Sequence, residues 1–151
     1  SLCQMAGLPA YEVSNHARAE AFQSAHNMIY WASGDWIGVG PGAHGRPTIG
    51  GHRYASEAPS RPSDSIDQTV LRKTPPSKVD VARELISMGL RPAQGLEVQR
   101  LETLLGPMTN ADAINDLWKS GWVDLDDGWL RLAPRGRLLA DHITGLLDPG
   151  Q

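Results

Sequence analysis

The sequence predicts an α+β fold in which an α/β segment precedes a small helical domain. Two observations lead to this prediction. Near the start, two short apolar stretches flank a segment with helical spacing, which is typical of a strand–helix–strand unit with a parallel sheet. After residue 76, apolar residues recur at helical spacing in several segments, interrupted by one hairpin signal. We therefore expect a front part over residues 1–58, a linker over 59–76 and a helical C-terminal domain over 77–151.

The front part contains candidate strands at residues 11–15 and 36–40, with a predicted helix over 19–32 between them. On that helix His26 and Tyr30 lie four residues apart, on one face above Phe22. Two strands do not make a stable sheet alone, and a parallel sheet needs cover on both faces. The front part is therefore expected to be the end of a larger α/β sheet or barrel. The start of the chain, which resembles the last turns of a helix, suggests that it is part of a longer polypeptide.

The C-terminal domain is predicted to begin with a helix capped by Ser77, with Val81, Leu85 and Met88 on one face. A second helix is expected over about 97–105. Thr109 or Asn110 is expected to cap a third helix, which carries the apolar residues Ile114, Leu117 and Trp118.

A β-hairpin follows, because Asp127-Gly128 is a strong signal for a two-residue turn. The turn predicts three cross-strand pairs: Val123 with Leu132, Asp124 with Arg131, and Leu125 with Leu130. A final helix is expected to start at Pro134, with a buried stripe of five apolar residues, namely Leu138, Leu139, Ile143, Leu146 and Leu147.

Three helices, a hairpin and a helix resemble the winged-helix arrangement, which often binds DNA. The charge argues against that function here. Residues 108–151 contain seven acidic side chains (Asp112, Asp116, Asp124, Asp126, Asp127, Asp141, Asp148) and four basic ones (Lys119, Arg131, Arg135, Arg137). Because phosphate would be repelled by this surface, we predict no nucleic-acid partner.

The whole chain has a net charge of -3 and is 40% hydrophobic, as in an ordinary globular domain. No stretch reaches the roughly 20 apolar residues that span a bilayer, so we predict no transmembrane segment and a cytoplasmic location. Cys3 is the only cysteine, which excludes an internal disulfide and a thiolate cluster built from this chain alone. The sequence does not predict an oligomeric state.

The candidate ligand site is the run His26, Asn27, Met28, Ile29, Tyr30 and Trp31. An imidazole, a carboxamide, a phenol and an indole each need a polar partner if buried, so such clusters usually face a ligand. From spacing alone, a hydrogen-bonded core histidine with packing aromatics is the simpler interpretation. The glycine-rich residues 38–45 suggest a phosphate loop, but Pro41 removes a needed amide and no Gly-Lys-Ser/Thr follows. A strand end with tight turns is the favoured interpretation there.

Residues 11–15, 26–31 and 35–44, in this order and spacing, resemble the C-terminal half of the HemW-type radical S-adenosylmethionine (radical SAM) proteins. These are haem chaperones related to the oxygen-independent coproporphyrinogen III oxidases. The segments 88–91, 95–96, 121–123 and 132–136 resemble the helical C-terminal domain of the same superfamily. The resemblance implies the tail of a radical SAM partial (β/α) barrel followed by a small winged-helix-like domain.

The resemblance also implies cofactors and site residues. The family carries a Cys-x-x-x-Cys-x-x-Cys motif that holds a [4Fe–4S] cluster and S-adenosylmethionine; this motif is absent here. The family's His-Asn-x-x-Tyr-Trp motif, associated with haem binding, falls on His26, Asn27, Tyr30 and Trp31. His26 then becomes the candidate ligand of the haem iron, and Asn27 could fix its tautomer.

Weaker candidates for contact with a cofactor or substrate are Glu12, Asn15 and His44, with His16 beside them, because ligands gather at the carboxyl ends of barrel strands. His52 and His142 are expected to be ordinary surface residues. The predicted function is haem binding and delivery, with haem or porphyrin and a haem-acceptor protein as partners. The alternative is a coproporphyrinogen III oxidase, an enzyme that decarboxylates propionates through a substrate radical. We expect this chain alone to be inactive in radical chemistry.

Overall fold

A computed structural model describes residues 2–61, 70–71, 75–106 and 111–150. The chain divides into two compact units, one formed by Ser1–Ser33 with Lys78–Gln151 and the other by Gly34–Ser77. Helices and antiparallel strands are both present, which confirms the predicted α+β class. The predicted boundaries at residues 58 and 76 stay predictions, and most of the predicted linker lies outside the described residues. None of the helices in the described ranges has the length and apolar character needed to cross a bilayer.

The described helices are α1 (Leu2–Met5), α2 (Ala25–Trp31), α3 (Lys78–Gly89), α4 (Val98–Leu105), α5 (Ala111–Lys119) and α6 (Ala140–Leu146), with 3₁₀ turns at Glu20–Phe22 and Gly136–Leu139. The strands are β1 (His44–Gly45), β2 (Thr48–Ile49), β3 (His52–Arg53), β4 (Ser56–Glu57), β5 (Val70–Leu71), β6 (Leu96–Glu97), β7 (Val123–Asp126) and β8 (Trp129–Leu132).

The larger unit is built around a three-stranded antiparallel sheet in the order β6-β8-β7. The hairpin has the predicted register, since Val123 pairs with Leu132 and Leu125 with Leu130. Strand β6, which the sequence analysis did not predict, adds to the other edge of β8. Helices α3–α6 cover this sheet, and their apolar faces form one core with it: Ala82, Leu85, Ile86, Leu90, Leu96, Val98, Leu101, Ile114, Leu117, Val123, Leu130, Leu132, Ala140, Ile143 and Leu147. The order of helices and hairpin is the predicted winged-helix-like arrangement.

The predicted helices 77–89 and 97–105 are confirmed within one residue, while their buried faces differ in detail. In α3, Ala82, Leu85 and Ile86 are buried, whereas Val81 and Met88 are only partly covered. The predicted caps Thr109 and Asn110 lie outside the described residues.

The predicted final helix is wrong at its start. A 3₁₀ turn occupies Gly136–Leu139 and α6 begins only at Ala140. Because a 3₁₀ turn has three residues per turn, it breaks the 3.6-residue phase of the apolar stripe. Leu138 is therefore 91% exposed, and only Ile143 and Leu147 of the predicted stripe are buried in the core.

The two parallel strands predicted for the front part are also wrong. Residues 11–15 form a tight turn closed by an antiparallel bridge between Ala10 and His16, and Trp36 makes a single antiparallel bridge with Arg46. Residues 37–39 form no strand, and Ile37 and Val39 are exposed. In the first case the Glu12 carboxylate accepts a hydrogen bond from the Ser14 amide at 3.0 Å, which favours a local turn, and Glu12 makes only an isolated antiparallel bridge with Pro92.

The smaller unit, Gly34–Ser77, consists of short antiparallel strands. In one sheet the order is β1-β4-β5, and β2 with β3 forms a separate hairpin. Asp35 holds this hairpin, since its carboxylate accepts hydrogen bonds from the Thr48 amide and hydroxyl, each at 2.7 Å. The glycine-rich segment therefore belongs to a unit of turns and short strands, in keeping with the need for tight turns that we predicted.

Candidate functional site

The candidate site lies on helix α2, which is shorter than the predicted helix 19–32. Ser24 has an extended backbone and its hydroxyl oxygen accepts a hydrogen bond from the Asn27 amide at 3.3 Å, so it is the N-cap and α2 begins at Ala25. This helix start was not predicted, although serine is a common N-cap residue. Phe22 consequently lies outside α2 and packs under the Arg18 guanidinium, 4.0 Å from the ring centroid.

The spacing of His26 and Tyr30 produces the predicted pairing on one face of α2. Their ring centroids are 4.6 Å apart and their planes meet at 85°, an edge-to-face contact. His26 is exposed and Tyr30 is half-buried, so the phenol ring supports the imidazole from the protein side. An exposed imidazole held by an aromatic neighbour can bind a metal ion or an organic ligand that approaches from solvent.

Asn27 was expected to fix the tautomer of His26, and that role stays a prediction. Its carboxamide is half-buried, and in the described part of the chain no hydrogen bond joins it to His26. The physical reason is that adjacent helix positions point in different directions. The hydrogen bond of Asn27 that the structure does show is made by its backbone amide with the cap Ser24.

Trp31, the last residue of α2, is half-buried. Its indole nitrogen is buried and has no hydrogen-bond partner. The guanidinium of Arg91 lies over the ring, 5.1 Å from its centroid, and Arg91 in turn contacts the Asp141 carboxylate at 2.6 Å. The sequence does not predict Arg91 as a site residue, because the contact joins residues far apart in the chain.

The turn before α2 anchors its first residues. The Ser24 amide donates to the Tyr11 phenol oxygen at 3.1 Å, and the Ala93 amide donates to the Tyr11 carbonyl at 2.8 Å. Glu12 is only 1% exposed, with one carboxylate oxygen bonded to Ser14 and the other buried without a partner. Glu12 is therefore closed to an external ligand in this structure.

The remaining weaker candidates do not all belong to the same unit. Asn15 and His16 are exposed in the turn that follows Glu12. His44 belongs to the other unit, where its carbonyl accepts a hydrogen bond from the Trp36 indole at 3.2 Å and its side chain is exposed. Their place in a ligand site stays a prediction.

An open groove of about 530 Å³ lies between the tip of the β7–β8 hairpin and α4. Its lining includes Glu97, Glu102 and Asp127 together with Leu125 and Trp129, and none of the α2 residues takes part. The carboxylates would repel a ligand that carries propionates, so this groove does not suit haem.

The residues present do not fit an iron–sulfur cluster. Cys3 is the only thiol of the chain and is exposed, and in the part of the chain that the structure describes no three His, Cys, Asp or Glu side chains come together as a metal site. A [4Fe–4S] cluster needs several thiolates. By contrast, the exposed imidazole of His26 has the chemistry of an axial haem ligand.

Residues 77–139 match the HemN C-terminal domain. Over 91% of its length, the chain is 33% identical to the mitochondrial radical S-adenosyl methionine domain-containing protein 1 of Bos taurus. The chain belongs to the HemN/HemW type of radical SAM family. It is also 32% identical to the heme chaperone HemW of Mycobacterium tuberculosis over 94% of the chain, and 28% identical to that of Bacillus subtilis over 92%.

The solved structure of the HemN coproporphyrinogen III oxidase from Escherichia coli, a radical SAM enzyme, has the same fold over 99% of this chain. The TM-score is 0.52 at 14% identity. The chain covers 35% of the bovine protein, 35% and 38% of these two HemW proteins, and 34% of the HemN chain. The chain thus spans about a third of the length of the proteins that it matches.

Proposed function

We propose that this chain is the part of a haem chaperone that contributes His26 to a haem-binding site. One observation carries the proposal: His26 presents an exposed imidazole on α2, backed by the edge-on ring of Tyr30 at 4.6 Å. In its neutral form an imidazole donates a lone pair to haem iron, and a neighbouring aromatic ring can contact a porphyrin face. Relatives that are named heme chaperones support this choice.

Haem in this proposal is the cargo of the protein, delivered to an acceptor protein. His26 would bind the iron, Tyr30 and Trp31 would contribute apolar ring surface, and Asn27 would lie beside the ligand. The larger protein would carry the [4Fe–4S] cluster and S-adenosylmethionine, since this chain lacks thiolates for a cluster. A cytoplasmic location is part of the proposal, although some relatives are mitochondrial.

A nucleic-acid partner is not part of the proposal. Asp112 and Asp116 are exposed on α5, the helix that a winged-helix protein would present to DNA. The hairpin tip adds Asp126 and Asp127, both exposed. Carboxylates at these positions oppose binding to phosphate.

The test is a haemin titration of the chain, followed at the Soret band, with His26→Ala as the variant. We expect saturable binding by the unmodified chain and at least tenfold weaker binding by His26→Ala, because the iron loses its axial ligand. His52→Ala is the matched control: His52 is also exposed, but it lies in the β2–β3 hairpin, and its removal should leave the affinity unchanged.

Two results would contradict the proposal: no saturable Soret change, or equal weakening by the two histidine variants. Circular dichroism of each variant checks that the helices are retained. The enzyme alternative has a separate test. Anaerobic conversion of coproporphyrinogen III by the reconstituted longer protein would favour an oxidase over a chaperone.

A further inference from the structure

Both ends of α2 are held by one short segment of the C-terminal domain. At the start, Ala93 binds the Tyr11 carbonyl, and the Tyr11 phenol binds the amide of the cap Ser24. At the end, the Arg100 guanidinium donates to the Ala32 carbonyl at 3.4 Å. The segment 91–100 runs from the residues after α3 to the first turn of α4. Its contacts therefore set the position of α2.

Within that segment, Arg91 contacts Trp31, a residue of the candidate site itself. Its guanidinium lies 5.1 Å from the centroid of Trp31 and 2.6 Å from the Asp141 carboxylate at the start of α6. The Arg91 side chain is 27% exposed and that of Asp141 is 85% exposed. The ion pair itself is screened by water, so its main effect is to orient the guanidinium rather than to stabilise the fold.

We propose that Arg91, oriented by Asp141, is a positioning residue that fixes the Trp31 ring and with it the helix that carries His26; its effect on haem rests on the function proposed above. A guanidinium is planar and stacks on an indole face, which an alkyl chain does not do. The Trp31 ring depends on this contact, because its buried indole nitrogen has no hydrogen bond that would orient the ring. The cation–π contact with Arg91 supplies that orientation.

The experiment uses Arg91→Met, which keeps an unbranched apolar stem but removes the charge and the planar guanidinium. The first measurement is the indole N–H resonance of Trp31 in a nitrogen-15 correlation spectrum, assigned by its loss in Trp31→Phe. The second is the haemin affinity. We expect Arg91→Met to shift the Trp31 resonance and weaken haemin binding about threefold or more. Arg91→Lys keeps a positive charge near the ring. It should therefore change the Trp31 resonance and the haemin affinity less than Arg91→Met does.

A matched control is available in the same unit. Arg135 lies over Trp122 at 4.0 Å, which is the same chemistry on an indole outside α2. Arg135→Met should shift the Trp122 resonance but leave the Trp31 resonance and haemin binding unchanged. This comparison separates a specific effect on α2 from a general loss of cation–π contacts.

The proposal is overturned if Arg91→Met leaves the Trp31 resonance where it is, or shifts it without any change in haemin affinity. If the unmodified chain shows no His26-dependent haemin binding, the proposed function fails, and the Trp31 resonance still decides whether Arg91 fixes the ring. If Arg91→Met unfolds the chain, the same two measurements are made on Arg91→Lys and Asp141→Asn. An unchanged Trp31 resonance in both of these variants would contradict the proposal.

Discussion

At the scale of single residues, Asp35 shows how one carboxylate organises a turn in the smaller unit. Its pKa is lowered first by the hydrogen bond from the Thr48 hydroxyl, then by the Thr48 amide and, to a lesser extent, by the charge of Arg53. Because these bonds favour the charged form, they help the hairpin at pH values above the ordinary pKa of 3.8. Their contribution is lost as the pH falls through the lower pKa of the folded state.

Replacement of Thr48 by valine should therefore raise the pKa of Asp35 towards its ordinary value, since the largest cause of the shift is removed. The carboxyl carbon shift of Asp35, followed by NMR against pH, measures this directly. Thr103→Val is the control, because the Thr103 hydroxyl binds the Gln99 carbonyl inside α4 and does not contact Asp35. The same Asp35 pKa in both variants would contradict this account.

The candidate site shows which residues a sequence can identify. His26 and Tyr30 were predicted to share a face because a helix brings residues four apart together. Arg91 was not predicted, because its contacts with Trp31 and Asp141 depend on how distant segments pack. Glu12 was predicted to lie at a strand end where ligands gather, whereas in the structure it is buried and accepts a hydrogen bond from the Ser14 amide.

At the scale of elements, the features that local sequence determines were predicted correctly, and those that depend on the packing of distant segments were not. The hairpin register was predictable because a two-residue turn and the alternation of strand residues determine it locally. Strand β6 was not, because two residues have no detectable period and pair only once β8 is in place. The start of α6 was not predicted either. Leucine favours a helix whether it is buried or exposed, so Leu138 and Leu139 do not show where the helix begins.

A pair of glycines tests the sheet of the larger unit. Gly95, just before β6, has φ of +83°, and a Cβ there would collide with the Leu130 carbonyl and the Arg131 side chain. Gly128 in the hairpin turn has a similar φ of +77° but open space around it. Gly128→Ala should cost about 1 kcal/mol of unfolding free energy. Gly95→Ala should cost about 2 kcal/mol or more, because crowding is added to backbone strain.

Urea unfolding curves measure both values. Equal losses for the two glycines would show that β6 does not approach β8 as closely as described. A change in slope would indicate that the sheet no longer unfolds in one step.

At the scale of the whole molecule, the larger unit is discontinuous in sequence. Ser1–Ser33 packs with Lys78–Gln151, while Gly34–Ser77 forms its own unit. Val13 packs against the core of the helical domain, and Ala17 is buried. The first 33 residues thus pack in one unit with the C-terminal region.

This arrangement predicts that cutting the chain within the smaller unit leaves the larger one assembled. A protease site inserted at the exposed turn Gly50-Gly51, between β2 and β3, should give two fragments that elute together in size-exclusion chromatography. The uncut chain with the same insertion is the control. Separation of the fragments in native buffer would mean that the contacts of residues 1–33 are too weak to hold them.

The hydrogen bond between the Ala93 amide and the Tyr11 carbonyl has a consequence for synthesis on the ribosome. Tyr11 is synthesised long before Ala93, and at 5–20 residues per second the interval between them is roughly 4 to 16 seconds. During that time the His26 helix is unanchored, because the residues that hold it do not yet exist. On the haem function proposed above, the order of synthesis would therefore delay a competent site until the C-terminal domain is complete.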